Sequence, residues 1–195
     1  MSLALHNRIS WKEKRETRFH YDAEADAYDE LYSEEQKKKY DSAFSHLVFS
    51  GEERILDCGC GTGILLEKMV DSVQVAVGVD LSPKMLEKAK LRLDQISNVA
   101  LICADMDFLP FPQGTFRHVF IFTVLLGHTY GGDTISEALR VLGERGIMTL
   151  SVPKKGLSSE KLLQKLSVNG LEPDGLIDDD KTLDYVVISK KRRLV

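Results

Sequence analysis

The segment "DCGCGTG", Asp57 to Gly63, concentrates residues whose types and spacing can do chemistry. Gly59, Gly61 and Gly63 alternate with Cys60 and Thr62 behind an acidic side chain, and the preceding "RIL" reads as the end of a buried strand. Glycines between a strand and a helix let a ligand lie against bare main chain. A tight turn uses the same glycines, so the loop alone does not fix a ligand. A Walker phosphate loop ends in Gly-Lys-Ser/Thr, whereas here Ile64 and Leu65 follow Gly63. A dinucleotide loop runs G-x-G-x-x-G and points a helix N-terminus at a pyrophosphate. This one runs G-x-G-x-G with Asp57 two residues ahead. A carboxylate there repels a pyrophosphate and suits an ammonium group, so the expected ligand is a cation.

Two further acids stand at corresponding places. Asp80 ends "QVAVGVD", where a carboxylate can accept from both hydroxyls of a ribose. Asp105 ends "VALICAD", where it can accept from an exocyclic amine such as adenine N6. Leu81 and Met106 follow them and are placed to sandwich a flat base. Each Asp alone serves equally as a helix cap or a solvated turn; three in succession at one sheet edge point to one ligand. An amine, a ribose and an adenine, taken in order, describe S-adenosylmethionine. His128, in "TVLLGHTYGG" after the fourth strand, is the group titrating near neutrality expected at that edge and is a candidate catalytic residue. A loop histidine bonded to backbone is its plainer reading. Cys58 and Cys60 are spaced as a metal pair, but no second pair completes a four-ligand zinc site, and no metal is expected.

These residues need elements to hold them. From Glu53 onward strand and helix patterns alternate: "RILD", "GILLEKMVD", "QVAVGVD", "SPKMLEKAKLRLDQ", "VALICAD", "FRHVFIFTVLL", "DTISEALRVLG", "GIMTLSV" and "SSEKLLQKLSVNG". Ser82 is placed at an N-cap and Pro83 in the first turn, where a missing N–H costs nothing. Such repetition predicts an α/β fold, a doubly wound parallel sheet with helices on both faces and the ligand beyond the carboxyl ends of the strands. "LEPDGLI" and "TLDYVVISK" close the chain with no helix between them, so they are expected to pair antiparallel. Upstream, "YDAEADAYDELY" reads as a short acidic helix. "SEEQKKKYDSAFSHLV" reads as a second helix, opened by a capping box from Ser33 to Gln36, with Tyr40, Phe44, Leu47 and Val48 on one buried face.

With 195 residues and 43% hydrophobic content, the chain suits one domain, residues 1–50 forming a helical lid and 51–195 the ligand-binding sheet. No apolar run approaches the roughly 20 residues that cross a bilayer. Three cysteines without a signal peptide fit a reducing cytoplasm. Net charge is −4, divided between basic ends, +3 over residues 1–20 and +4 in "KKRR" at Lys190–Arg193, and a body of −11. The acidic body speaks against a large nucleic-acid footprint, although the basic ends leave a short strip that can attract phosphate.

With those residues in view, the chain resembles the class I S-adenosylmethionine-dependent methyltransferases, in particular the small Rossmann-like type 11 branch. "ILDCGCGTG" is similar to the family's first motif, "VGVDLSPKML" to the second, and "CADMDFLPFPQGTF" to the third. "EALRVLGERGIMTLSV" resembles the later R-V-L-x-x-G-G segment, with Arg145-Gly146 where the family has two glycines. The resemblance implies a seven-stranded sheet of order 3-2-1-4-5-7-6 with strand 7 antiparallel. It implies that Asp57 holds the cofactor's amino group, often through water, and that Gly59, Cys60 and Gly61 face its methionine end. Asp80 then meets the ribose, Asp105 and Met106 the adenine, and backbone at Thr123 lies near the sulfonium. "EADAYDELY" is similar to the aromatic segment that covers the cofactor, which makes Tyr28, and after it Tyr21, the matching residues. Tyr28 is also a candidate for orienting the methyl acceptor. The acceptor is unidentified. A small lid and an acidic body favour a small molecule over RNA or protein, and a cofactor-binding scaffold subunit is the competing class.

Overall fold

The computed structural model describes residues 10–124 and 133–192. Two helices come first, α1 (Trp11–Glu24) and α2 (Tyr28–Phe44). Next are β1 (Arg54–Cys58), α3 (Ile64–Met69), β2 (Val75–Asp80), α4 (Pro83–Arg92) and β3 (Val99–Cys103). The chain continues through β4 (Phe116–Ile121), α5 (Asp133–Val141), β5 (Leu142–Pro153), α6 (Ser159–Val168), β6 (Leu171–Ile177) and β7 (Asp184–Lys191). The strands form one sheet of order β3-β2-β1-β4-β5-β7-β6. β1 through β5 pair in parallel, and β7 runs antiparallel to both β5 and β6, as expected.

The central strands are apolar and buried almost end to end because helices cover both faces. Successive side chains alternate between two apolar clusters, as the strand period of two requires. Leu56, Val77 and Ile121 join Ile135 and Ala138 of α5 and Leu162 and Leu166 of α6. Ile55, Ala76 and Phe120 join Tyr40 and Ala43 of α2, Leu65 of α3 and Ala89 of α4. Cys58 packs into the first cluster and Cys60 into the second, so the two thiols do not share a site. Among the described residues no helix is long and apolar enough to cross a membrane.

The N-terminal helices differ from the expectation. The chain breaks at residues 25–27, and α2 then runs unbroken from Tyr28, leaving Ser33 inside the helix rather than at its cap. Tyr28 and Tyr32, one turn apart, pack with ring centroids 5.0 Å from each other, which carries the helix through Ser33. A capping box does exist, but at the start of α1. There Ser10 Oγ accepts the Glu13 N–H (3.3 Å) and the Glu13 carboxylate accepts the Ser10 N–H (2.7 Å). Val48 is 89% exposed, because α2 stops at Phe44 and helical spacing no longer applies beyond it.

Candidate functional site

Beyond the carboxyl ends of β1, β2, β3 and β4 the chain encloses a cavity of about 200 Å³. Gly59, Gly61, Asp80, Leu81, Asp105 and Met106 form its wall along the sheet edge, with Thr123 after β4 and Tyr21 and Tyr28 from the N-terminal helices. Asp57 and Cys60 stand behind this wall, at 3% and 6% exposure. The Cys60 side chain turns into the core, where its sulfur lies 2.8 Å from the position a Cβ on Gly78 would take. Only the main chain of Cys60 is left to face a ligand. Of the three acids, Asp80 closes its strand, Asp57 is the penultimate residue of β1, and Asp105 lies two residues past β3. His128 lies outside the described residues.

Four amides of the glycine loop are already spent within the chain. Gly59 and Cys60 both donate to the Val79 carbonyl, at 2.7 and 3.0 Å, and Gly63 donates to Cys60 O at 2.9 Å. Gly61 donates to Asp80 Oδ2 at 2.9 Å. A phosphate cradle is a nest of amides pointing outward, and these four point inward. The tight path rests on Gly59, whose φ is +80° and where a Cβ would come within 2.4 Å of Val124 Cγ2.

The electrostatics of this edge are set by buried carboxylates. Burial, reinforced by the neighbouring Asp80 charge, pushes the Asp57 carboxyl up to about 8, and no donor among the described residues holds it. Burial also raises Asp80, although the Ser82, Gly61 and Leu81 amides oppose that shift. Tyr28 lies over the loop, its Cε1 3.8 Å from where a Cβ on Gly61 would stand, with its ring edge-on to Tyr21. Burial holds both phenols above their ordinary range, so at neutral pH they are hydrogen-bond donors rather than bases.

Side chains to which sequence reasoning gave no place in the site complete it. Lys14 of α1 reaches across the cavity to Asp105 Oδ2 (2.6 Å) and Asp107 Oδ2 (2.5 Å). Asp107 in turn accepts from the Thr134 hydroxyl. At the other end, Thr123 adopts a left-handed φ of +59°. Its N–H donates to Ser151 Oγ (2.9 Å), and its Oγ1 accepts from Gln36 Nε2 and Lys39 Nζ, both at 3.0 Å. Lys39 is 1% exposed and paired with Asp184 at 2.9 Å. The sequence places Gln36 in a capping box and singles out nothing at Lys39, so only the packing of α2 on the sheet exposes their role.

The model of the methyltransferase domain matches residues 55–146. A malonyl-[acyl-carrier protein] O-methyltransferase of Halorhodospira halophila is 32% identical over 112 residues, 55% of this chain and 38% of that protein. Residues 55–146 are a methyltransferase domain. The chain is also similar to an uncharacterized protein of Methanocaldococcus jannaschii, 30% identical over 72% of this chain and 53% of that one. The chain thus spans about half or less of the length of these curated relatives. In fold, magnesium protoporphyrin IX methyltransferase of Synechocystis, solved with S-adenosylmethionine bound, superposes at a TM-score of 0.73 and 18% identity, over 95% of this chain and 100% of that one. The cofactor of the methyltransferase domain is S-adenosylmethionine.

Proposed function

We propose that the protein transfers a methyl group from S-adenosylmethionine to a small-molecule acceptor, working as a single domain with residues 1–50 as the lid. The observation that carries this reading is Asp57: a buried carboxylate with no described donor, behind a loop four of whose amides are already occupied. That combination disfavours phosphate and favours an ammonium. The other residues fit the same ligand. Gly59, Cys60 and Gly61 offer main chain to its methionine end, and Asp80 keeps lone pairs on the cavity wall for ribose hydroxyls. Leu81 and Met106 line the cavity beside Asp105, as a purine and its amine require. Thr123, fastened on both sides, holds backbone near the sulfonium, while Tyr21 and Tyr28 close the cover.

The bound cofactor supplies a methyl group already activated by its sulfonium. The chain's own part is to align an acceptor and exclude water, and alignment alone is worth about 7–11 kcal/mol in favourable intramolecular cases. A general base enters only where the acceptor arrives protonated. A small acceptor is favoured because the lid is small and the body of the chain carries −11. The test is transfer of labelled methyl from S-adenosylmethionine into fractionated cell extract. Label in the small-molecule fraction is the expected result. Label in RNA or protein overturns the acceptor class, and label nowhere favours a scaffold subunit.

A further inference from the structure

We propose that Lys14 is an internal competitor for the purine amine, so that the cofactor binds only as α1 gives up its lysine. This rests on the reading of Asp105 as the carboxylate that receives that amine. In the structure each Asp105 oxygen already has a donor, and the one on Oδ2 is a cation that lines the cavity. Oδ1 accepts the Asp107 N–H at 3.0 Å and Oδ2 accepts from Lys14 Nζ at 2.6 Å. Asp107 is likewise filled, by the Thr134 hydroxyl on one oxygen and by Lys14 on the other. The Lys14 ammonium therefore stands in the cavity against the oxygen that a purine amine would approach, and competes with it for that carboxylate. The amine gains its full contact with Asp105 as Lys14 swings away or falls back on Asp107 alone.

The helix that carries Lys14 is suited to yield. No residue of α1 is buried. Apart from the Tyr21 ring against Tyr28, its docking contacts are polar: the Lys14 pairs, and Asp22 accepting from Ser82 Oγ (2.6 Å) and the Lys84 N–H (3.3 Å) at the start of α4. Elements held by such contacts open at lower free energy than those held by packed apolar surface. Both contacts land beside Asp80 and Asp105, so the lid is tied to the groups that are assigned to the nucleoside.

Trp11, the only tryptophan of the chain, makes this measurable. It lies one turn before Lys14, with its ring centroid 5.7 Å from Lys14 Nζ. The full chain, Lys14→Met and Lys14→Arg are titrated with S-adenosylhomocysteine by calorimetry while Trp11 emission is followed. The expected result is about 5- to 30-fold tighter binding by Lys14→Met, the scale of one charge-assisted contact that no longer has to be displaced. Lys14→Arg, which keeps the donors, stays close to wild type. The ligand shifts Trp11 emission in wild type, and Lys14→Met starts near the liganded value. Equal or weaker binding by Lys14→Met, or Trp11 emission unmoved by saturating ligand in wild type, overturns the competitor role and leaves the cofactor reading standing. No binding by any of the three overturns the cofactor reading itself.

Discussion

Asp57→Asn separates what the buried carboxylate does for the fold from what it does for the ligand. The Asp57 carboxyl titrates near 8 in the folded chain against 3.8 in its ordinary state. The folded state therefore holds an extra proton between these values, and stability is present in full at low pH and lost as pH rises toward 8. Asparagine is shaped like the protonated acid and has no proton to lose. The two proteins should be equally stable near the ordinary pKa, then diverge in favour of the variant by about 1.4 kcal/mol per pH unit, flattening above about pH 8. At pH 7 that is about 4 kcal/mol, and relaxation of the carboxylate toward the cavity reduces it to about 2–4 kcal/mol. Urea unfolding at pH 5, 6, 7 and 8 reads the gap from the midpoints at constant slope. The same substitution should abolish tight binding of S-adenosylhomocysteine, because an amide does not neutralise an ammonium. A gap that stays constant with pH, or a variant less stable than wild type at pH 7, refutes the electrostatic picture of this site.

Asp80→Ala strips the carboxylate proposed to receive the ribose along with its bonds to the Gly61 and Ser82 amides. Calorimetry should show S-adenosylhomocysteine binding weakened by about 1–3 kcal/mol, and an unchanged affinity removes Asp80 from that role. His118 is 1% exposed with Nδ1 unpartnered, and burial, aided by Arg117, lowers its pKa to about 4. The unfolded chain therefore binds the proton first, and stability falls as pH drops below about 6.5, by about 2 kcal/mol at pH 5. His118→Leu should remove that slope in denaturant unfolding, and a slope equal to wild type would mean that other groups cause it.

Much of the sheet was legible because its signals are local and repeated. Small apolar strands such as "VAVGV" are followed by capped helices, and the absence of a helix between the last two strands dictated their antiparallel return. The positions of Asp57, Asp80 and Asp105 near their strand ends were legible for the same reason, but only Asp80 closes its strand, and the sequence did not show that Asp57 lies behind the cavity wall. The N-terminal helices were less so. Ser33 and Gln36 have the spacing of a capping box, yet Gln36 is 4% exposed and bonded to Thr123, a partner 87 residues away. Lys14 sits in a charged, weakly amphipathic helix that reads as solvated surface. Its place between Asp105 and Asp107 is set by how α1 lies across the sheet, and no periodicity encodes that.

The most direct test of the site's chemistry is calorimetric titration of the wild-type chain at pH 8 with S-adenosylhomocysteine and, separately, with NAD. Saturable one-to-one binding of the first, with no heat from the second, is the expected result. Binding of NAD with none of S-adenosylhomocysteine would contradict a pocket built around an ammonium and a single nucleoside.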